Sequence, residues 1–157
     1  MKSASLNEIK RALGDLDEKR LGELCLRLAK YKVENKEMLT YLLFEAGDEK
    51  SYIETVRQDM VDHFESIPNN NLYFVKKTLR KILRIVNKQI RYSGSSQTEL
   101  ELRLQFCKSL KQSGIPFEKS AVINNLYLQQ LKKINSALAA LPEDLQFDYQ
   151  EDMNQLL

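Results

Sequence analysis

Residues that make turns, bind metals or form disulfides are scarce in this chain of 157, which holds five glycines, three prolines, two cysteines and one histidine. With so few glycines there is no Gly-x-Gly-x-x-Gly and no Walker loop, which excludes dinucleotide and P-loop nucleotide sites of the usual kind. One histidine and two cysteines far apart in sequence, Cys25 and Cys107, cannot complete a zinc site within one chain. Neither cysteine belongs to a Cys-x-x-Cys, and both are expected in the core. A chain of this length needs no disulfide staples, and Met1-Lys2-Ser3 opens no basic-then-apolar leader. The expected location is therefore a reducing cytoplasm. Apolar runs such as Tyr41–Phe44 are four residues long, against the roughly 20 of a membrane helix.

What is abundant points to helices. Leucine supplies 25 residues and valine only six, and no strand-like alternation persists. The expectation is one all-α domain over residues 1–157, an array of about seven or eight antiparallel helices.

Caps and spacing give the boundaries. Ser5 and Glu8 form a capping-box pattern before Leu6, Ile9 and Leu13, and Gly14 ends that helix. Asp17 opens a second with the stripe Leu21, Leu24, Cys25 and Leu28, and Asn35 is expected to cap a third that runs to Gly47, read as a left-handed terminator. A fourth runs over 48–66 with Ile53, Val56, Met60, Phe64 and Ile67 inward, and Pro68 stops it. The fifth, 71–92, repeats Leu72, Val75, Leu79, Ile82, Leu83, Val86 and Ile90 before the loop Ser93-Gly94-Ser95-Ser96. A sixth covers 97–113 with Leu100, Leu104, Cys107 and Leu110 and closes at Gly114. A seventh covers 117–141, and a weaker eighth follows Pro142 to about Gln155.

Pairing neighbours gives hairpins at 17–46, 49–92 and 97–141, which together resemble an α-solenoid of the HEAT or armadillo kind in architecture, without that family's consensus residues. In general character the whole chain is similar to short all-helical bacterial proteins. One internal echo, Asn70-Asn71-Leu72-Tyr73 and Asn124-Asn125-Leu126-Tyr127, predicts equivalent capping by Asn71 and Asn125, with a helix break near Ile123.

Charge is segregated along the chain. Residues 1–65 carry 11 basic and 14 acidic groups, 66–98 carry seven basic and no acidic, and 99–157 carry six and eight. On a helical projection Lys77, Arg80, Lys81, Arg84, Lys88 and Arg91 share one face opposite the apolar stripe, over about 21 Å at 1.5 Å per residue. Phe74, Ile85 and Tyr92 flank it. Such a ridge would meet an anionic partner, and aromatic rings beside it are what stacking on unpaired bases requires. Two plainer readings stand beside it: an ordinary solvated helix face, or a ridge neutralised by the acidic segment Glu143, Asp144, Asp148, Glu151 and Asp152. Phe74, Ile85 and Tyr92 would then form a second packing face.

Carboxylate spacing supplies the one enzyme reading. Glu45-Ala-Gly-Asp48 and Asp62-His63-Phe64-Glu65 stand at an interval that is similar to the paired Glu-x-x-Glu and Glu-x-x-Asp motifs of the all-α nucleotide pyrophosphohydrolases, MazG and dimeric dUTPase. That resemblance implies Mg²⁺ held at a nucleoside triphosphate by Glu45, Asp48, Asp62 and Glu65. Asp and Glu are interchanged relative to the motif, and Gly47 interrupts the first pair. His63, at the margin of its helix's apolar face, lacks the surroundings of a phosphorelay histidine and is expected half-buried. The expectation that leads is a non-catalytic interaction protein without cofactor, whose ridge contacts an anionic protein partner. A nucleic-acid binder and the pyrophosphohydrolase follow, and self-association is open.

Overall fold

A computed structural model describes residues 2–68 and 71–156, and the described residues form nine α-helices and no strand. The helices are α1 (Leu6–Gly14), α2 (Glu18–Tyr31), α3 (Val33–Thr40), α4 (Glu49–Glu65), α5 (Leu72–Ser93), α6 (Ser96–Gln112), α7 (Ala121–Ala139), α8 (Glu143–Asp148) and α9 (Gln150–Asn154). A π-turn over Tyr41–Glu45 and a 3₁₀ turn over Phe117–Lys119 complete the order. The fold is all-α, as composition requires. The one domain expected across residues 1–157 has its contacts gathered into two compact units, Met1–Phe44 and Glu45–Leu157.

In the first unit α2 packs on α3, and each helix is locally well specified. Ser5 and Glu8 form the reciprocal capping box of α1, and Asp17 accepts from the Arg20 N–H at 2.7 Å to cap α2. Asn35 lies inside α3 rather than at its start. Its Nδ2 donates to the Leu28 carbonyl at 2.8 Å, so it fastens the α2–α3 turn and α3 begins without a side-chain cap. None of the residues of α1, α2 or α3 is buried, and Cys25, expected in the core, is exposed. An apolar stripe on a helix states a preference for burial; here nothing within the unit is wide enough to satisfy it.

The second unit holds the core, with α6 at its centre, packed against α4, α5 and α7. Leu100, Leu102, Leu104, Phe106, Cys107 and Leu110 of α6 are all buried, around more than half of the helix, and Gln97, Glu101, Gln105 and Lys108 mark its half-exposed side. Tyr52 of α4 donates to the carbonyl of Gln89 near the end of α5, which sets these two antiparallel. Arg57 of α4 meets Glu101 of α6, and Phe64 packs on Phe106 further along both, so α4 and α6 run parallel. The solenoid arrangement remains an expectation.

Two sequence signals resolve differently here. Gly47 does not adopt a left-handed backbone, because the chain leaves α3 through the π-turn and Asp48 then caps α4 by accepting from the Ser51 N–H at 3.1 Å. Gly94 and Gly114 do adopt it, at φ 67° and 70°. Asn71 caps α5, but Asn125 lies within α7, whose cap is Ser120, so the echo does not mark equivalent caps. Asn70, the echo's first residue, is outside the described residues.

Candidate anion-binding face

The orientation of α5 is fixed by its buried stripe. Val75, Leu79, Ile82, Leu83, Val86 and Ile90 pack inward, Asn71 Oδ1 accepts from the Tyr73 N–H at 2.8 Å at one end, and left-handed Gly94 stops the helix at the other. The opposite face therefore presents the cations. Lys77, Arg80, Lys81, Arg84 and Arg91 are exposed, and among the described residues none of these five makes an ion pair. Lys88, the sixth residue of the expected ridge, is half-buried and already engaged in the fold.

The flanking aromatics divide. Phe74 is 50% exposed, Ile85 is half-buried, and Tyr92 is 8% exposed, so the Tyr92 ring is part of the core instead of a stacking platform. Tyr73, which the projection left unused, is 62% exposed and lines one shallow concavity with Lys77, Arg80, Lys81 and Arg84. Its ring meets Phe74 edge-on with centroids 5.6 Å apart, and Lys76 Nζ stands 5.6 Å above it. Its position three to four residues before Lys76 and Lys77 was the available signal.

Alongside this face, α5, α6 and α7 enclose a groove of about 670 Å³ whose rim includes Arg80, Arg84, Arg91 and Lys133. Arg103 of α6 lies at its base, 4% exposed. A buried guanidinium requires partners for its charge and its donors, and it has them. Nε and Nη2 donate to Glu99 Oε1 at 2.8 and 2.7 Å, and Nη1 donates to Gln130 Oε1 at 2.7 Å and Asn87 Oδ1 at 3.1 Å. Three helices are thus tied at one side chain. Sequence reading counted Arg103 only as a charge. The density of leucines around it in α6 was the signal that this position is enclosed.

The acidic C-terminal segment lies elsewhere on α6. Asp152 pairs with Lys108 at 2.6 Å, Lys111 donates to the Gln155 carbonyl at 3.0 Å, and Tyr127 donates to the Leu156 carbonyl at 2.7 Å. Tyr149 donates to Glu101 Oε1 at 2.7 Å while accepting from Gln97 at 3.0 Å. Burial, then the hydrogen bond to Glu101, push the Tyr149 phenol up to about 12. Lys108 and Gln97 stand on the side of α6 away from Arg103, so these contacts do not cover the groove.

The carboxylates of the enzyme reading are dispersed. Asp48 is consumed as the α4 cap, Asp62 accepts from Gln58 at 2.8 Å on an exposed face, Glu65 is exposed, and Glu45 ends the π-turn. Among the described residues no group of three or more His, Cys, Asp or Glu could hold a metal ion. His63 is half-buried. A second cleft, of about 450 Å³, lies between α4 and α6, where Arg57 pairs with Glu101 at 2.9 Å and Glu49 accepts from Ser93 and Thr98. Its lining carries three carboxylates, Glu49, Glu54 and Glu101, against Lys50 and Arg57, and Arg57 is shared between Glu54 and Glu101. Among the described residues no helix is long and apolar enough to cross a membrane. Compared with models of protein families, with curated proteins and with solved structures, the chain matches none.

Proposed function

We propose that this protein is a non-catalytic, cytoplasmic interaction protein that meets an anionic macromolecule with the outward face of α5. The observation that carries this is the set of five exposed cations on one helix face, without an ion pair among the described residues, in a stretch with no carboxylate between Glu65 and Glu99. Charges that serve only solubility are ordinarily interspersed with the opposite sign. A single-sign face over about 21 Å concentrates positive potential and favours polyanions. The acidic C-terminal segment supports the reading, since its contacts with Lys108, Lys111 and Tyr127 engage none of the five exposed α5 cations. Single-stranded nucleic acid is the reading that Tyr73 favours, because its exposed ring lies in line with the cations.

Retention on a polyanion matrix tests it. Net charge is only +2, so retention at low salt requires a localised patch. The expected result is retention that weakens with salt and is lost in the Lys77→Glu/Lys81→Glu/Arg84→Glu variant. Reversal of the exposed Lys10, Lys30 and Lys36, which changes net charge equally, should preserve most of it. Equal loss in both triple variants, or retention unchanged by reversal on α5, would refute the proposal.

A further inference from the structure

We infer that the groove between α5 and α7 anchors a backbone phosphate of single-stranded nucleic acid, an inference that rests on the reading of α5 as an anion-contacting face. The argument starts from Arg103, which has donors and no acceptor. Because its Nη1 takes both Gln130 Oε1 and Asn87 Oδ1, each amide is fixed with oxygen toward the guanidinium. Both NH₂ groups are thereby turned away from Arg103, and both residues line the groove. Among the described residues neither nitrogen donates a hydrogen bond, and neither is a buried orphan, since the one buried side-chain polar atom without a partner is Arg57 Nε; both donors are therefore open to solvent.

Beside the apolar Leu83, Ile90 and Leu126, the charge in the rest of the lining is mostly of one sign. Arg80, Arg84 and Arg91 come from α5 and Lys133 from α7, and the one carboxylate, Glu99, is held by two bonds from Arg103. Oriented amide donors at the base and cations at the rim call for a ligand made of acceptors with negative charge. A phosphate supplies several acceptor oxygens at one centre. The strand class follows from what adjoins the groove on α5: Lys77 and Lys81 extend the cationic track, and Tyr73 offers a face for a base, which an acidic peptide would not use. A strand would lie along α5 with one phosphate seated between Asn87, Gln130 and the flanking arginines.

Fluorescence anisotropy of a labelled mixed-sequence single-stranded oligonucleotide, at low and physiological salt, tests this. Asn87→Asp and Gln130→Glu each keep an oxygen facing Arg103 while replacing the donor by a negative oxygen. Lys77→Gln and Lys81→Gln change net charge by the same amount outside the groove. Each groove variant should weaken binding roughly tenfold, the worth of about one charge-assisted hydrogen bond, and each comparator only about two- to threefold. Circular dichroism of every variant establishes that the fold is kept, and two independent groove variants mean that one unfolded protein does not decide the result. Equal losses in groove variants and comparators would overturn the anchoring site while leaving the reading of α5 intact. Salt-sensitive binding of poly-glutamate, with none of the oligonucleotide, would overturn the nucleic-acid assignment and keep the α5 face. Binding of neither polyanion would remove both.

Discussion

Replacing Arg103 by Met tests whether the base of the groove is a satisfied network or a set of incidental contacts. The substitution preserves much of the side-chain length and removes every donor. Glu99 loses two bonds, and the oxygens of Gln130 and Asn87 lose theirs. Breaking a buried charged pair from one side costs about 3–5 kcal/mol, because the partner is left uncompensated. The Glu99 side chain is 32% exposed and can recover some hydration, which places the expected loss near the low end, about 3 kcal/mol. With a urea slope of about 2 kcal/mol per molar, the midpoint should fall by about 1.5 M.

The readout must belong to this unit alone, and Cys107, buried one turn from Arg103, provides it. In a Cys25→Ser background, thiol labelling at graded urea reports opening of the second unit without interference from the first. Arg103→Lys should fall between the two, since an ammonium keeps the charge but cannot fork to three acceptors. Adding Glu99→Gln to Arg103→Met should cost little more, because the orphaned charge is removed with it. A midpoint shift equivalent to less than about 1 kcal/mol, the range of exposed ion pairs, would refute the network and weaken the case for oriented amides.

The two cysteines should differ sharply in native reactivity. Cys25 is exposed and should react promptly with a maleimide, whereas burial pushes the Cys107 thiol up to about 12 and should protect it until the core opens; two equally fast thiols would contradict the burial of α6. Tyr149 predicts an alkaline limit. Its folded pKa of about 12 stands above the ordinary 10.0, so protonation favours the folded state; its contribution is full below pH 10 and is lost as pH rises toward 12. Stability of the native protein relative to Tyr149→Phe should therefore decline across that window, and a pH-independent difference would show that the phenol titrates normally.

The parts of the fold legible in sequence were those in which one local signal decides one local outcome. Asp17 and Asn71 cap helices as their side chains dictate, and the stripe Ile53, Val56, Met60, Phe64 and Ile67 is buried because a period of three and four leaves one apolar face. Asn35 and Asn125 show the limit. Both are capping residue types, but Asn35 found a carbonyl seven residues back, and Ser120 had already capped α7. Choice between two local partners depends on chain path, which composition does not encode. Cys25 and Cys107 had the same status in a helical projection, and only the company of α4, α5 and α7 around α6 separates their fates.

The candidate site divides along the same line. The sign and face of the α5 cations follow from sequence alone, since no carboxylate interrupts them and a single helix carries them all. Which of them are available does not, because Lys88 is drawn into the fold while its neighbours are not. Arg103 takes the point further. Counted along the chain it adds one positive charge, but in the folded unit Glu99 holds that charge, and its donors go to fixing two amides. In the proposed site a buried arginine would act less by its own charge than by imposing direction on Asn87 and Gln130, uncharged residues that no charge map would single out.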